Sequence, residues 1–245
     1  MNDTIVRQEQ TTTATWMRLA QTAAVTMVIW SAVLQITARM VIPPVLVIGL
    51  VFLVFVPFLR GERGRLGVAL AAFTTLALVG NLPGIVDELA HPESAPAFIL
   101  TLLSVVTALV AVTAGLGAFF HWSTSPVKAI ALGWAAVFVV GAIGSVAASV
   151  TTGSDIALAG DTVVVAEKVQ FAPDAINVAT GSTGVWVENN DGIRHTLTIE
   201  ELGVDLDIPA LKSRRVDFAA APGTYTYTCT VPGHEDMTGT LIVEG

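Results

Sequence analysis

Two hydrophobic rhythms divide the 245-residue chain. Up to about residue 150, apolar residues come in long, nearly unbroken runs. Beyond about residue 160 they alternate with polar ones in short stretches. A run of about 20 mostly apolar residues is long enough to cross a bilayer as a helix. Five such runs are predicted: Trp16–Thr37, Val41–Leu59, Leu66–Val86, Pro96–Phe120 and Val127–Val150. The second carries no charge at all, whereas Gln21, Thr22, Thr26, Ser31 and Gln35 dilute the first. A soluble reading fails because five such helices leave almost nothing to cover them. Small residues recur four apart at Thr107, Ala111 and Gly115, and again at Gly141, Ser145 and Ser149. Such stripes let helices approach closely.

The second rhythm predicts strands. Thr162–Ala166, Ile176–Ala179, Val185–Val187, His195–Glu200, Ser213–Phe218, Thr224–Cys229 and Thr238–Val243 are short and separated by turn signals such as Asn189-Asn190-Asp191-Gly192 and Pro222-Gly223. In the fourth, His195, Leu197 and Ile199 share a face. In the sixth, Tyr225, Tyr227 and Cys229 do. Seven short strands in so small a span predict an antiparallel sandwich. The organisation expected is therefore a five-helix transmembrane region over residues 1–150, a linker over 151–160 and an all-β domain over 161–245. Ten extended residues reach at most about 35 Å, so the domain stays near the membrane surface.

Charge sharpens this division. Residues 1–159 hold 7 acids and 7 bases, and residues 160–245 hold 13 acids and 5 bases. A neutral apolar part is joined to an acidic one, which argues against a nucleic-acid partner. Bases collect at Arg7 and Arg18, at Arg60, Arg63 and Arg65, and at Lys128. The first connection holds only Arg39, and the third holds Asp87, Glu88, His91 and Glu93 with no base. The N-terminus and the even connections are then cytoplasmic, and five crossings place the C-terminal domain on the extracytoplasmic face of the cell membrane. The membrane part offers little chemistry: His91 and His121 do not form a pair at one depth that would hold a haem. It reads mainly as an anchor.

Candidate chemistry sits in the stretch Tyr-Thr-Cys-Thr-Val-Pro-Gly-His-Glu-Asp-Met, Tyr227 to Met237. Cys229, the one cysteine, ends a strand facing inward. His234 follows a Pro-Gly turn, and Met237 precedes the last strand. His195, the other histidine of this domain, starts an alternating strand on its core face. Each residue alone reads more simply as core or loop. Together they supply two imidazoles, a thiolate and a thioether, the set that defines a blue-copper electron-transfer site. Zinc has no use for the thioether, and structural zinc brings more cysteines.

These residues carry a resemblance. Phe171-Ala-Pro173, Asn190-Asp191 before His195, Pro222-Gly223-Thr-Tyr225, Cys229-Thr-Val-Pro-Gly-His234 and Met237-Thr-Gly239-Thr-Leu make residues 161–245 similar to the cupredoxins, the plastocyanin-like family. The resemblance covers about a third of the chain. It implies a Greek-key sandwich holding one type 1 copper ion, with His195, Cys229 and His234 as equatorial ligands and Met237 as the axial one. The His-x2-Met spacing is shorter than the usual four intervening residues. The membrane region resembles no family.

The function expected is a membrane-anchored carrier of single electrons rather than an enzyme in its own right. A copper storage or delivery module is one alternative. An electron-transfer subunit of a larger membrane redox complex is the other. Glu235, Asp236 and Asp191 are expected to ring the copper end and attract a basic redox partner such as a cationic cytochrome c. A membrane oxidoreductase is the other partner class expected.

Overall fold

The computed structural model describes residues 2–38, 41–59 and 64–245. Arg39, Arg60 and Arg63, used above to orient the membrane part, lie outside the described residues. The described residues form two compact units, one of residues 1–82 and 100–141, the other of residues 83–99 and 142–245.

The first unit is helical. It contains α1 (Asn2–Ala38), α2 (Pro43–Phe55), α3 (Gly64–Gly80) and most of α5 (Ala95–Phe119), and it takes in the start of α6 (Val127–Thr152). The polar residues that dilute α1 have partners. Gln21 donates to the Val56 carbonyl, Ser31 to the Val45 carbonyl, and Gln35 exchanges hydrogen bonds with both backbone groups of Ile42. They bond main-chain groups at the ends of α2, where Pro43 opens the helix with the fixed φ that a first turn wants. The stripe of Thr107, Ala111 and Gly115 is buried where the helix that carries it packs. A Cβ at Gly115 would strike the Gly67 carbonyl and Ala71, so the α3 and α5 backbones meet there. The stripe of Gly141, Ser145 and Ser149 differs: only Ser145 is buried, and space beside Gly144 is open.

Three described helices are long and apolar enough to cross a membrane: Gln10–Ile36 within α1, then α5 and α6. The predicted third span is broken. After Gly80 the chain bends by 65° into α4 (Leu82–Ala90), and the pair counts as a fourth candidate only if taken together. Pro83 explains the break, because a proline fits the first turn of a new helix but not the interior of an old one. The predicted second span is the 13-residue α2. At 1.5 Å per residue it rises about 20 Å, short of the roughly 30 Å hydrocarbon core.

The second unit holds α4 from Pro83, the start of α5, the end of α6 and a two-sheet sandwich. Its strands are β1 (Thr162–Ala166), β2 (Phe171–Ala172), β3 (Ala175–Ala179), β4 (Gly181–Asn189), β5 (His195–Ile199), β6 (Val204–Ile208), β7 (Ser213–Ala220), β8 (Gly223–Thr228) and β9 (Thr238–Glu244). One sheet runs β2-β1-β4-β7 and the other β3-β9-β8-β5-β6. Alternation places Val164, Ala166, Val185 and Val187 from the first against Ile176, Leu197, Ile199, Tyr227, Leu241 and Val243 from the second. Two expectations are corrected. There are nine strands, not seven, and the sheets are mixed, since β1 pairs with β4 and β3 with β9 in parallel. The added β6, Val-Asp-Leu-Asp-Ile, keeps its two end residues buried and both acids exposed. Tyr227 bridges the layers beneath the ligand strand. Its hydroxyl donates to the Pro173 carbonyl, its ring meets Phe171 edge to face, and a Cβ at Gly239 would collide with it.

The expected linker is not a free tether. α6 runs to Thr152 and stops at Gly153 in the left-handed region, φ 62°. The chain then lies along the sandwich. The Asp155 amide donates to the Ser213 carbonyl, its carboxylate accepts the Arg215 amide, and its carbonyl accepts the Trp186 indole N–H. Ser154 accepts the Ser213 amide, and the Gly153 carbonyl accepts Arg214. Asp161 takes two hydrogen bonds from the Arg215 guanidinium, at 2.7 Å each.

Candidate metal centre

His195 opens β5, and Cys229 follows the last residue of β8. His234 and Met237 lie on the loop from β8 to β9. That loop is closed on itself. The Cys229 amide donates to the Met237 carbonyl, the His234 amide to Val231, and the Met237 amide to His234. A tight loop of this kind delivers three side chains to one end of the sandwich. Two threonines tie it to β5: the Thr230 amide donates to the Thr196 hydroxyl at 2.8 Å, and the two hydroxyls bond at 3.0 Å.

The donor atoms of His195, Cys229 and His234 all lie within 4.8 Å of one another, and all three residues come together as the sequence predicts. Both imidazoles present Nδ1 to the sulfur, at 3.8 Å for His195 and 3.5 Å for His234. Imidazole and thiolate sit about 2.0 and 2.3 Å from a first-row dication, so a trigonal arrangement separates N from S by about 3.7 Å. The observed distances bracket that value. Met237 is buried in the same apolar cluster as Cys229 and Val231.

The electrostatics prepare the donors. Burial would push the Cys229 thiol up. The two imidazoles and the Thr196 and Val231 amides outweigh it and bring the pKa down to about 5, the form a soft metal binds. The Thr196 amide reaches the sulfur at 3.4 Å. His195 is fully buried, and its Nε2–H donates to Asp191 Oδ2 at 2.9 Å. That bond fixes the tautomer and leaves the Nδ1 lone pair for a cation. Burial opposes protonation of His195, but Asp191 and Cys229 prevail and its pKa is raised.

Sequence reasoning missed this role for Asp191. It counts there as a rim charge, whereas the structure commits it. Besides His195 it accepts the Lys168 and Val169 amides, at 2.9 and 3.0 Å. The signal available was the Asp-x3-His spacing. Asn189 was likewise read as a turn residue. Its buried side-chain amide donates to the carbonyls of Ile193, Ile208 and Pro209, and its oxygen accepts the Asp191 amide. Of the other two expected rim acids, Glu235 accepts the Gly233 amide, while Asp236 is exposed.

A buried imidazole–thiolate–imidazole set at these distances, with a methionine on the same loop, is compatible with a type 1 copper site. A model of the cupredoxin-like family matches residues 133–243, beginning inside α6. The chain carries a cupredoxin-like domain. Among solved structures it is similar to a reduced amicyanin variant, with 23% identity over 36% of this chain and 86% of the other and a TM-score of 0.32. Amicyanin from Paracoccus versutus matches at 20% identity over 36% and 85%, with a TM-score of 0.30. A copper-containing nitrite reductase from Thermus scotoductus matches at 21% identity over 37% of this chain and 25% of that one, with a TM-score of 0.29. No curated protein matches the chain.

Proposed function

We propose that this protein is a membrane-anchored carrier of single electrons that works through one type 1 copper ion. His195 and His234 would hold the ion through their imidazoles, Cys229 through its thiolate and Met237 through its thioether. The observation that carries the reading is the pair of imidazole Nδ1 atoms at 3.5 and 3.8 Å from one buried thiolate. When bound, copper supplies a Cu(I)/Cu(II) couple. The chain's own residues make the cradle. Cys229 and Met237 offer soft donors suited to Cu(I), and the imidazoles accept both states. Asp191 holds His195, and the Thr196 amide bonds the sulfur. A donor set accepted by both oxidation states needs little rearrangement when an electron passes. The ligand set has no place for a substrate, which favours a carrier over a catalyst, whether it works alone or as a subunit of a larger redox complex.

The domain we assign is 161–245, on the extracytoplasmic face, with the N-terminus cytoplasmic; the five crossings this takes require the bent α3–α4 pair to count as one span and the apolar run through α2, longer than its 13-residue helix, as another. Residues 83–99, the base-free connection, belong to the same compact unit as the sandwich, which favours one side of the membrane for both. The partner we favour is a redox protein of basic surface or a membrane oxidoreductase. Loading the purified chain with Cu(II) tests the reading. An intense visible thiolate-to-copper band with one copper per chain is expected, and a colourless protein that takes only zinc would overturn it. Copper storage or delivery is the second reading. Release of the ion to a metal-free acceptor would favour it.

A further inference from the structure

The cupredoxin-like domain is attached at two places. One is the stretch after α6, described above, which bonds the β7 edge through Ser154 and Asp155. The other is the connection between α3 and α5, far away in sequence. Asp87 Oδ1 accepts from Arg194 Nη2 at 2.6 Å, and Asp207 Oδ1 accepts from Nη1 of the same guanidinium at 2.7 Å. The Arg194 side chain is only 9% exposed, so this charge is held by two carboxylates from separate parts of the chain. The Ala210 amide donates to Ser94 Oγ, and both residues are buried. Ser145 on α6 donates to the Pro92 carbonyl at 2.6 Å, which holds the connection from its other side. Pro96 packs against Gly192.

The places touched on the sandwich share one property. Arg194 immediately precedes His195, Gly192 lies three residues before it, and Ala210 follows Pro209, whose carbonyl Asn189 holds. Glu88 stands within electrostatic range of His234. The connection therefore meets the ligand end of the domain.

We propose that residues 83–99 are a built-in docking surface for the ligand end of the cupredoxin-like domain, latched by the Asp87–Arg194–Asp207 ion pair. The domain is carried in one fixed attitude on that connection and does not swing on its linker. Burying a guanidinium costs several kcal/mol unless it is paired, so the latch discriminates strongly between docked and mispaired arrangements. A redox partner must then come to the docked domain, by way of the exposed Glu235 and Asp236 of the ligand loop.

Both tests are read on metal-free protein, so their failure says nothing about copper. In a Cys229→Ser background, the full chain in membranes receives Ser94→Cys with either Ala210→Cys or, as control, Glu244→Cys at the exposed end of β9. Mild oxidation should remove both thiols from the first pair and leave the second open. Equal closure of the two pairs would mean a swinging domain and overturn the proposal. Because Ser94 and Ala210 are buried, hydrogen exchange on the unsubstituted chain decides if the cysteine variants do not fold. The amides of Asp155 and Ala210 should be protected. Asp87→Asn should speed exchange at Ala210 by at least about tenfold, the loss expected of a charged hydrogen bond, while β8 and β9 stay protected. Free exchange of both amides in the unsubstituted chain, or no change on Asp87→Asn, would overturn the docking or the latch.

Discussion

Replacing Asp191 by asparagine tests what the carboxylate gives His195. The substitution keeps size and one acceptor oxygen, enough for Nε2–H and the Val169 amide on Oδ2 at the expense of the Lys168 amide on Oδ1, and removes the charge that faces Nε2–H. The bond is 2.9 Å long, between a fully buried ring and a carboxylate only 17% exposed. A charge-assisted hydrogen bond in such a place is worth about 1.5–3 kcal/mol. At 1.4 kcal/mol per decade this is about a 10- to 100-fold loss of metal affinity, the range found when a metal-ligating histidine loses its outer partner. The sign with pH follows. Burial pushes the Asp191 carboxyl up, but His195 and the two amides win and hold it below its usual range. Its contribution is thus complete above the ordinary carboxylate pKa and fades as pH falls through the lowered one. Parent and variant should differ throughout neutral pH and converge only in strong acid. Competition titration of Cu(II) against a chelator across a pH series measures this. An unchanged affinity at pH 7 would refute the claim that Asp191 orients the ligand.

Cys229→Ser should abolish the visible band, because the band arises from the thiolate; absorption spectroscopy of the copper-loaded variant is the check. Met237→Leu should retain copper and raise its reduction potential, since a thioether favours Cu(II) slightly over no donor; an unchanged spectrum and potential in voltammetry would remove Met237 from the ligand set. Single cysteines in the 60–65 connection should be shielded from an impermeant thiol reagent in intact cells, while one near Glu93 should react; the reverse would place the copper domain in the cytoplasm. Glu235→Gln with Asp236→Asn should slow electron transfer to a basic partner and flatten its salt dependence, read by stopped flow across a salt series.

The cluster of His195, Cys229 and His234 was largely legible because most of it is local. Cys229, His234 and Met237 share one loop, and His195 starts a strand whose alternation shows which way it faces. What escaped depends on distance or on ambiguous polarity. β6 hides behind Asp205 and Asp207, acids that occupy only its outward positions. The parallel pairings of β1 with β4 and β3 with β9 leave no mark on local periodicity, since a strand alternates alike in either direction. Asp87 and Arg194 are 107 residues apart, and nothing near either one announces the other. Asp191 was visible as a charge, but only the fold tells a charge that bonds a ligand from one that meets water. Hydropathy found the apolar runs and could not say that Pro83 turns one of them aside.

The pairing of β3 with β9 has a consequence for how the protein is made. Ala175 is matched with Thr240 and Val178 with Val243, so an early strand waits for the last one before its sheet can close. Cys229 and His234 also emerge late in synthesis. Pairings so far apart in sequence form slowly, and a chain extended at about 5–20 residues per second has left most of the sandwich behind before β9 exists. On the extracytoplasmic placement proposed above, the domain would have to be threaded across the membrane unfolded. An architecture that cannot close until its final strand arrives meets that demand through its topology alone.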